Sequence, residues 1–241
     1  MSAVHRDATL DVVTPLLAST LATLSLALTG VAEREAARNE AQPVTPPAAE
    51  APTTGRRGEF GGAPMALPAK APVALGKPNR GRLVRGIRIP AEGPLFFTWD
   101  PVRNVAPNRP WRRYGTARLL ATVDAVLKEY RRRNPGAPRV AIGDLSRTRG
   151  GEFGRRFGGL GHASHQNGLD MDIYYPRKDR RETAPTRVSQ VDRRLAQELV
   201  DLFVDEGARY VFVGPRTRLH GPRKVVQELV HHDDHLHVRV R

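Results

Sequence analysis

The sequence predicts an α+β fold: one compact domain over about residues 81–241, a mostly antiparallel sheet with helices packed on it, behind a disordered N-terminal region. Three observations carry this expectation. Helix-period and strand-period segments alternate through the later part of the chain, two strand candidates alternate apolar and polar residues strictly, and residues 33–79 show no hydrophobic period. The 241 residues are 39% hydrophobic, enough for one core, while 20 prolines and 22 glycines imply a segment that does not contribute to it.

Taken in order, residues 12–32 (VVTPLLASTLATLSLALTGVA) form a charge-free run ending in Gly30-Val31-Ala32. This reads as a signal peptide over residues 1–32, with an uncleaved membrane anchor as the alternative. Residues 33–80 are rich in Ala, Pro, Glu, Thr and Gly and read as a disordered Pro/Ala-rich linker. In TARLLATVDAVLKEYRRR, Leu119, Leu120, Val123, Val126, Leu127 and Tyr130 share one helical face, and Asn134-Pro135-Gly136 ends the helix. RVAIGD is a short apolar strand. SQVDRRLAQELVDLFVDEG reads as a second helix with Ser189 as N-cap, a core side of Val191, Leu195, Leu199, Leu202 and Phe203, and a stop at Gly207. RYVFVG follows as a strand and GPRKVVQELV as a short final helix.

The formal charge is +14, and residues 81–241 hold 31 of the 39 basic and 18 of the 25 acidic residues. The excess therefore sits on the expected domain and favours polyanionic partners. A nucleic-acid platform needs aromatics interleaved with the basic residues, and aromatics are 6% and scattered, so nucleic acid is not expected as a partner. The absence of cysteine excludes disulfides, thiolate metal sites and thiol nucleophiles.

Six of the eight histidines lie in two short stretches, GHASHQNGLDMD at 161–172 and HHDDHLHVRVR at 231–241. As a strand, LDMDIYY turns Asp170 and Asp172 to one face and Leu169, Met171 and Ile173 to the other. HLHVRV places His235, His237 and Arg239 opposite Leu236, Val238 and Val240 in the same way. A His-x6-Asp pair (His165, Asp172) and a His-x-His pair (His235, His237) could thus bring two imidazoles and one carboxylate to a single ion. Three protein ligands with an open position are what a catalytic zinc site needs.

The strings GDLSRTRGGEFGRRFGGLGHASHQNGLDMDI and HHDDHLHVR resemble the motifs of the penicillin-insensitive murein endopeptidases. These are zinc peptidases of the clan shared with lysostaphin, the D-Ala-D-Ala carboxypeptidases and the hedgehog signalling domain. The resemblance covers roughly residues 81–241. It implies one zinc ion held by His165, Asp172 and His237, with His235 beside it as general base or transition-state stabiliser, and His232 and His162 as further active-site histidines. It also implies hydrolysis of the D-alanine–meso-diaminopimelate amide in the cross-linked stem peptides of peptidoglycan, in the periplasm, with a membrane met only through a possible N-terminal anchor. Arg147, Arg149 or Arg239 could clamp a substrate carboxylate. The alternatives are a D,D-carboxypeptidase of the same clan and a non-catalytic zinc-containing wall-binding module.

Overall fold

The computed structural model describes residues 56–159 and 162–241. Both the apolar run at 12–32 and the start of the expected linker lie outside the described residues. Among those described, no helix is long and apolar enough to cross a membrane.

The strands are β1 (Arg57–Phe60), β2 (Ala63–Ala66), β3 (Val73–Lys77), β4 (Arg80–Val84), β5 (Ile87–Arg88), β6 (Phe96–Thr98), β7 (Tyr114–Gly115), β8 (Val140–Ile142), β9 (Asp170–Tyr174), β10 (Tyr210–Val213), β11 (Val226–Glu228) and β12 (His235–Arg239). Helix α1 (Ala117–Arg133) lies between β7 and β8, and α2 (Arg193–Asp205) between β9 and β10.

The main sheet has the order β11-β10-β12-β9-β8-β6. Its centre, β10-β12-β9-β8, is antiparallel, and both outer pairs are parallel. The α+β expectation holds, with a sheet that is mixed at its edges.

Each helix forms where apolar residues recur at helical spacing between good caps. Thr116 accepts from the Leu119 N–H at 3.2 Å and starts α1. Arg131, Arg132 and Arg133 fill its last turn, where cations complement the carbonyl end, and Asn134 caps it. Ser189 does not cap α2 as expected. It sits in a 3₁₀ turn at 188–190; Val191 then runs extended and buried, and Asp192 accepts from the Leu195 N–H at 3.1 Å. Gly207, at φ +73°, closes the helix.

Leu119, Val123, Leu127, Leu195, Leu199 and Phe203 pack with Ile142, Met171, Ile173, Leu236 and Val238 in one core. The helices thus take the apolar face of the sheet, and the polar side chains of β9 and β12 are left on the other.

Two expectations fail locally. The segment expected as a final helix contains β11, which pairs in parallel with β10 through Val211↔Val226. Val211 N–H to Val225 O (2.9 Å) and Leu229 N–H to Val213 O (2.8 Å) show the cause: the backbone groups of β10 find partners there, and pairing overrides a helical pattern.

The linker, expected to reach residue 80, gives way to two hairpins. Phe60, fully buried at the end of β1, meets Phe96 edge-on with ring centroids 5.0 Å apart. Gly61 makes the turn possible, having φ +57° and a position where a Cβ would lie 2.4 Å from the Phe96 ring. The β3–β4 hairpin holds the loop that carries the first histidine motif. Gln166 N–H donates to Pro78 O at 2.9 Å, Gly81 N–H to Gln166 Oε1 at 3.2 Å, and Asn167 Nδ2 to Gly76 O at 3.2 Å.

Candidate active site

The pairing of β9 with β12 sets His237 opposite Asp172 and Arg239 opposite Asp170. Directly opposed residues of an antiparallel pair are close enough for side-chain contact. His237 Nδ1 lies 3.1 Å from Asp172 Oδ1. From the loop before β9, His165 Nε2 lies 3.2 Å from the same oxygen. All three side chains are buried, on the face to which the alternation of β9 and β12 assigns Asp172 and His237. The loop at 162–168 covers that face.

The outer nitrogens of the two imidazoles are fixed by partners. His165 Nδ1 donates to Leu145 O at 3.1 Å. The backbone at His165 is left-handed, φ +67°, a conformation that a non-glycine residue keeps only where its surroundings impose it. His237 Nε2 donates to Asp170 Oδ1 at 2.8 Å, and Arg239 Nε donates to the same oxygen at 2.6 Å. The inner atoms are a different matter: His165 Nε2 and Asp172 Oδ1 are buried without a hydrogen-bond partner. Leaving such groups unsatisfied is unfavourable unless something else binds there.

Charge follows the same geometry. Burial would raise the Asp172 carboxyl, yet His165, His235 and His237 around it hold it well below the usual carboxylate range. Burial keeps His165 below its ordinary value and so favours the neutral ring. For His237 burial is outweighed by Asp170 and Asp172, which push it up to about 9.

The remaining histidines ring this cluster. His235 Nε2 lies 3.8 Å from Asp172 Oδ1, and its Nδ1 is bonded to Asp234 at 2.7 Å. Burial is outweighed here too, by Asp172 and Asp234, and the ring titrates above its usual value. His232 stacks near His235 at 4.7 Å, donates from Nδ1 to Val230 O at 2.8 Å, and is brought down to about 4 by burial and by His235. His162 lies 4.5 Å from the His165 ring, and its Nε2 is 2.8 Å from Asp144 Oδ2. His162, His165 and Asp172 each offer a ligand atom, all within 4.8 Å of one another. His162 differs from the other two in that its Nε2 is already engaged by Asp144.

Three residues of the site were not singled out by sequence reasoning. Asp144, just past the buried strand β8, is gripped by Arg112 through Nε (2.6 Å to Oδ1) and Nη2, and accepts from Asn108 Nδ2 at 2.9 Å. Arg112 and Asp144 are fully buried. An aspartate leaving an apolar strand was the available signal for Asp144; nothing marked Arg112 or Asn108 among so many surface residues. Of the arginines considered as substrate clamps, Arg239 is occupied by Asp170. Arg147 stacks on Phe157 at 3.6 Å and donates to Glu152 O at 2.6 Å.

A mixed sheet that buries imidazoles and carboxylates together on its polar face is built for chemistry on a substrate, and comparison with known families gives the class. Residues 74–209, more than half of the chain, match the penicillin-insensitive murein endopeptidases, and the chain belongs to that family of hydrolases acting on murein. The match begins within β3, in agreement with the hairpin being part of the fold. It includes His162, His165 and Asp172 and ends before β12. None of the curated proteins matches the chain.

Proposed function

We propose that the protein is a zinc-dependent endopeptidase that hydrolyses the D-alanine–meso-diaminopimelate cross-links of peptidoglycan, with one zinc ion held by His165, Asp172 and His237. The observation that carries this reading is the pair of buried, unpartnered ligand atoms, His165 Nε2 and Asp172 Oδ1, facing His237 Nδ1. Two imidazoles and a carboxylate are a donor set that suits zinc, the ion taking the place of the proton on His237 Nδ1, and the bonds to Leu145 O and Asp170 orient both rings as such ligands require. When bound, the ion supplies electrophilic polarisation of a carbonyl and acidifies water.

The protein's own groups do the rest. His235, fixed by Asp234, presents Nε2 toward the cluster and takes a proton from the attacking water, then gives it to the leaving amine. His232 stays neutral beside it, and with its Nδ1–H given to Val230 O its Nε2 is left as an acceptor for a water or a substrate N–H. His162, held by Asp144 and Arg112, walls the opposite side of the site. A location outside the cytoplasm follows from the murein substrate, and we propose the periplasm, reached by export through the N-terminal run.

The test is metal content against activity. The native chain should bind one zinc per molecule and convert cross-linked dimers to monomers. His165→Ala and His237→Ala should lose the metal and the activity together.

A further inference from the structure

Arg113, one residue beyond the arginine that grips Asp144, turns toward a different part of the molecule. It is 7% exposed and lines a cavity of about 220 Å³ with Arg88, Pro64, Met65, Ile89 and Pro90. Strand β2 forms one wall and the β5–Pro90 segment the other. The cavity is held in shape by the β5–β7 pairing, in which Arg88 faces Tyr114, and by Ile89 N–H donating to Arg113 O at 3.0 Å.

The guanidinium of Arg113 is poorly satisfied. Its Nη1 donates to Ile89 O at 3.1 Å, while its Nε is buried without a partner. Among the described residues no carboxylate pairs with Arg113 or Arg88. Burial first, and then the neighbouring charge of Arg88, bring Arg113 down to about 10. A buried cation next to a second cation is strongly unfavourable unless an anion completes the site.

We propose that this cavity binds a free carboxylate on a short aliphatic body, of amino-acid size, with Arg113 and Arg88 as the clamp. A planar carboxylate accepts two parallel N–H bonds from a guanidinium. The apolar walls at Pro64, Met65, Ile89 and Pro90 suit an aliphatic body and would leave the additional oxygens of a phosphate without partners. The site goes beyond the hydrolytic reading, because none of its residues belongs to the histidine cluster.

The experiment follows the Arg113 Nε–Hε signal by NMR in the full chain, assigned by its loss in Arg113→Lys. Titration with N-acetyl-D-alanine should move it saturably, N-acetyl-D-alanine amide should not, and Arg88→Gln should weaken binding about tenfold, as expected for one charge-assisted contact. A signal that does not move, that responds equally to the acid and the amide, or that responds identically in Arg88→Gln overturns the proposal. A response to inorganic phosphate at lower concentration than to N-acetyl-D-alanine overturns the assigned ligand class.

Discussion

Asp172 and His237 face each other across the β9–β12 register, and Oδ1 of the one lies 3.1 Å from Nδ1 of the other. Because the pairing is antiparallel and the side-chain period is two, the same register sets Asp170 beside Arg239 and behind His237. The outer aspartate orients the imidazole and the inner one shares its ligand-facing side.

That relationship gives the first prediction. Asp170→Asn keeps every proposed ligand but weakens the acceptor for His237 Nε2. Zinc affinity should fall about 10–100-fold, the usual effect of losing such an orienting carboxylate. Competition with a chromophoric chelator measures it.

His235 tests the proton-transfer role separately. His235→Ala should retain one zinc per chain and lose about 10²–10⁴-fold in kcat, the range general acid-base groups supply. Metal analysis and dimer-cleavage rates on the same sample read both quantities. Unchanged turnover would remove His235 from the mechanism.

The Arg112–Asp144 pair should matter first for stability. Asp144→Asn leaves a fully buried guanidinium without its counter-charge, at a cost of about 3–5 kcal/mol. The folded Asp144 carboxyl, despite burial, is held by Arg112 and His162 below its ordinary 3.8. A depressed carboxyl contributes stability that is complete above the unfolded value and lost as pH falls through the folded one. Wild type should therefore show an acid-side loss below about pH 4 to which Asp144 contributes, and that contribution should be missing from Asp144→Asn. Urea midpoints across the acid range compare the two.

The hairpins lead to a prediction that contradicts the boundary expected from composition. Phe60→Ala should cost about 3–5 kcal/mol, as other buried phenylalanines do. A chain begun at residue 81 should melt earlier than the full chain and hold zinc less well, because the loop bearing His165 loses Pro78 and Gly76 as anchors. Thermal unfolding and metal analysis of the two chains decide this.

These cases also show what the sequence made legible. Apolar period located α1, α2, β9, β10 and β12, whose patterns are one-sided and long enough to read, and a short apolar run located β8. Spacing drew attention to His165, Asp172, His235 and His237 because strand alternation puts functional groups on one face. The hairpin strands at 57–84 are four or five residues each, rich in Gly, Ala and Pro, and their order comes from distant partners such as Phe96 and Gln166. Val226 likewise became a strand through β10 and not through its own neighbours in sequence. Asp144 and Arg112 meet across 32 positions, a separation at which neither residue type carries any local mark.

The central claim is tested most directly by incubating the full chain with purified D-alanine–diaminopimelate cross-linked dimers, with and without a chelator, and reading products by mass. The account predicts conversion to two monomers with the gain of one water, abolished by the chelator and restored by zinc. Intact dimer from folded, zinc-loaded protein would contradict it, and so would release of terminal D-alanine alone.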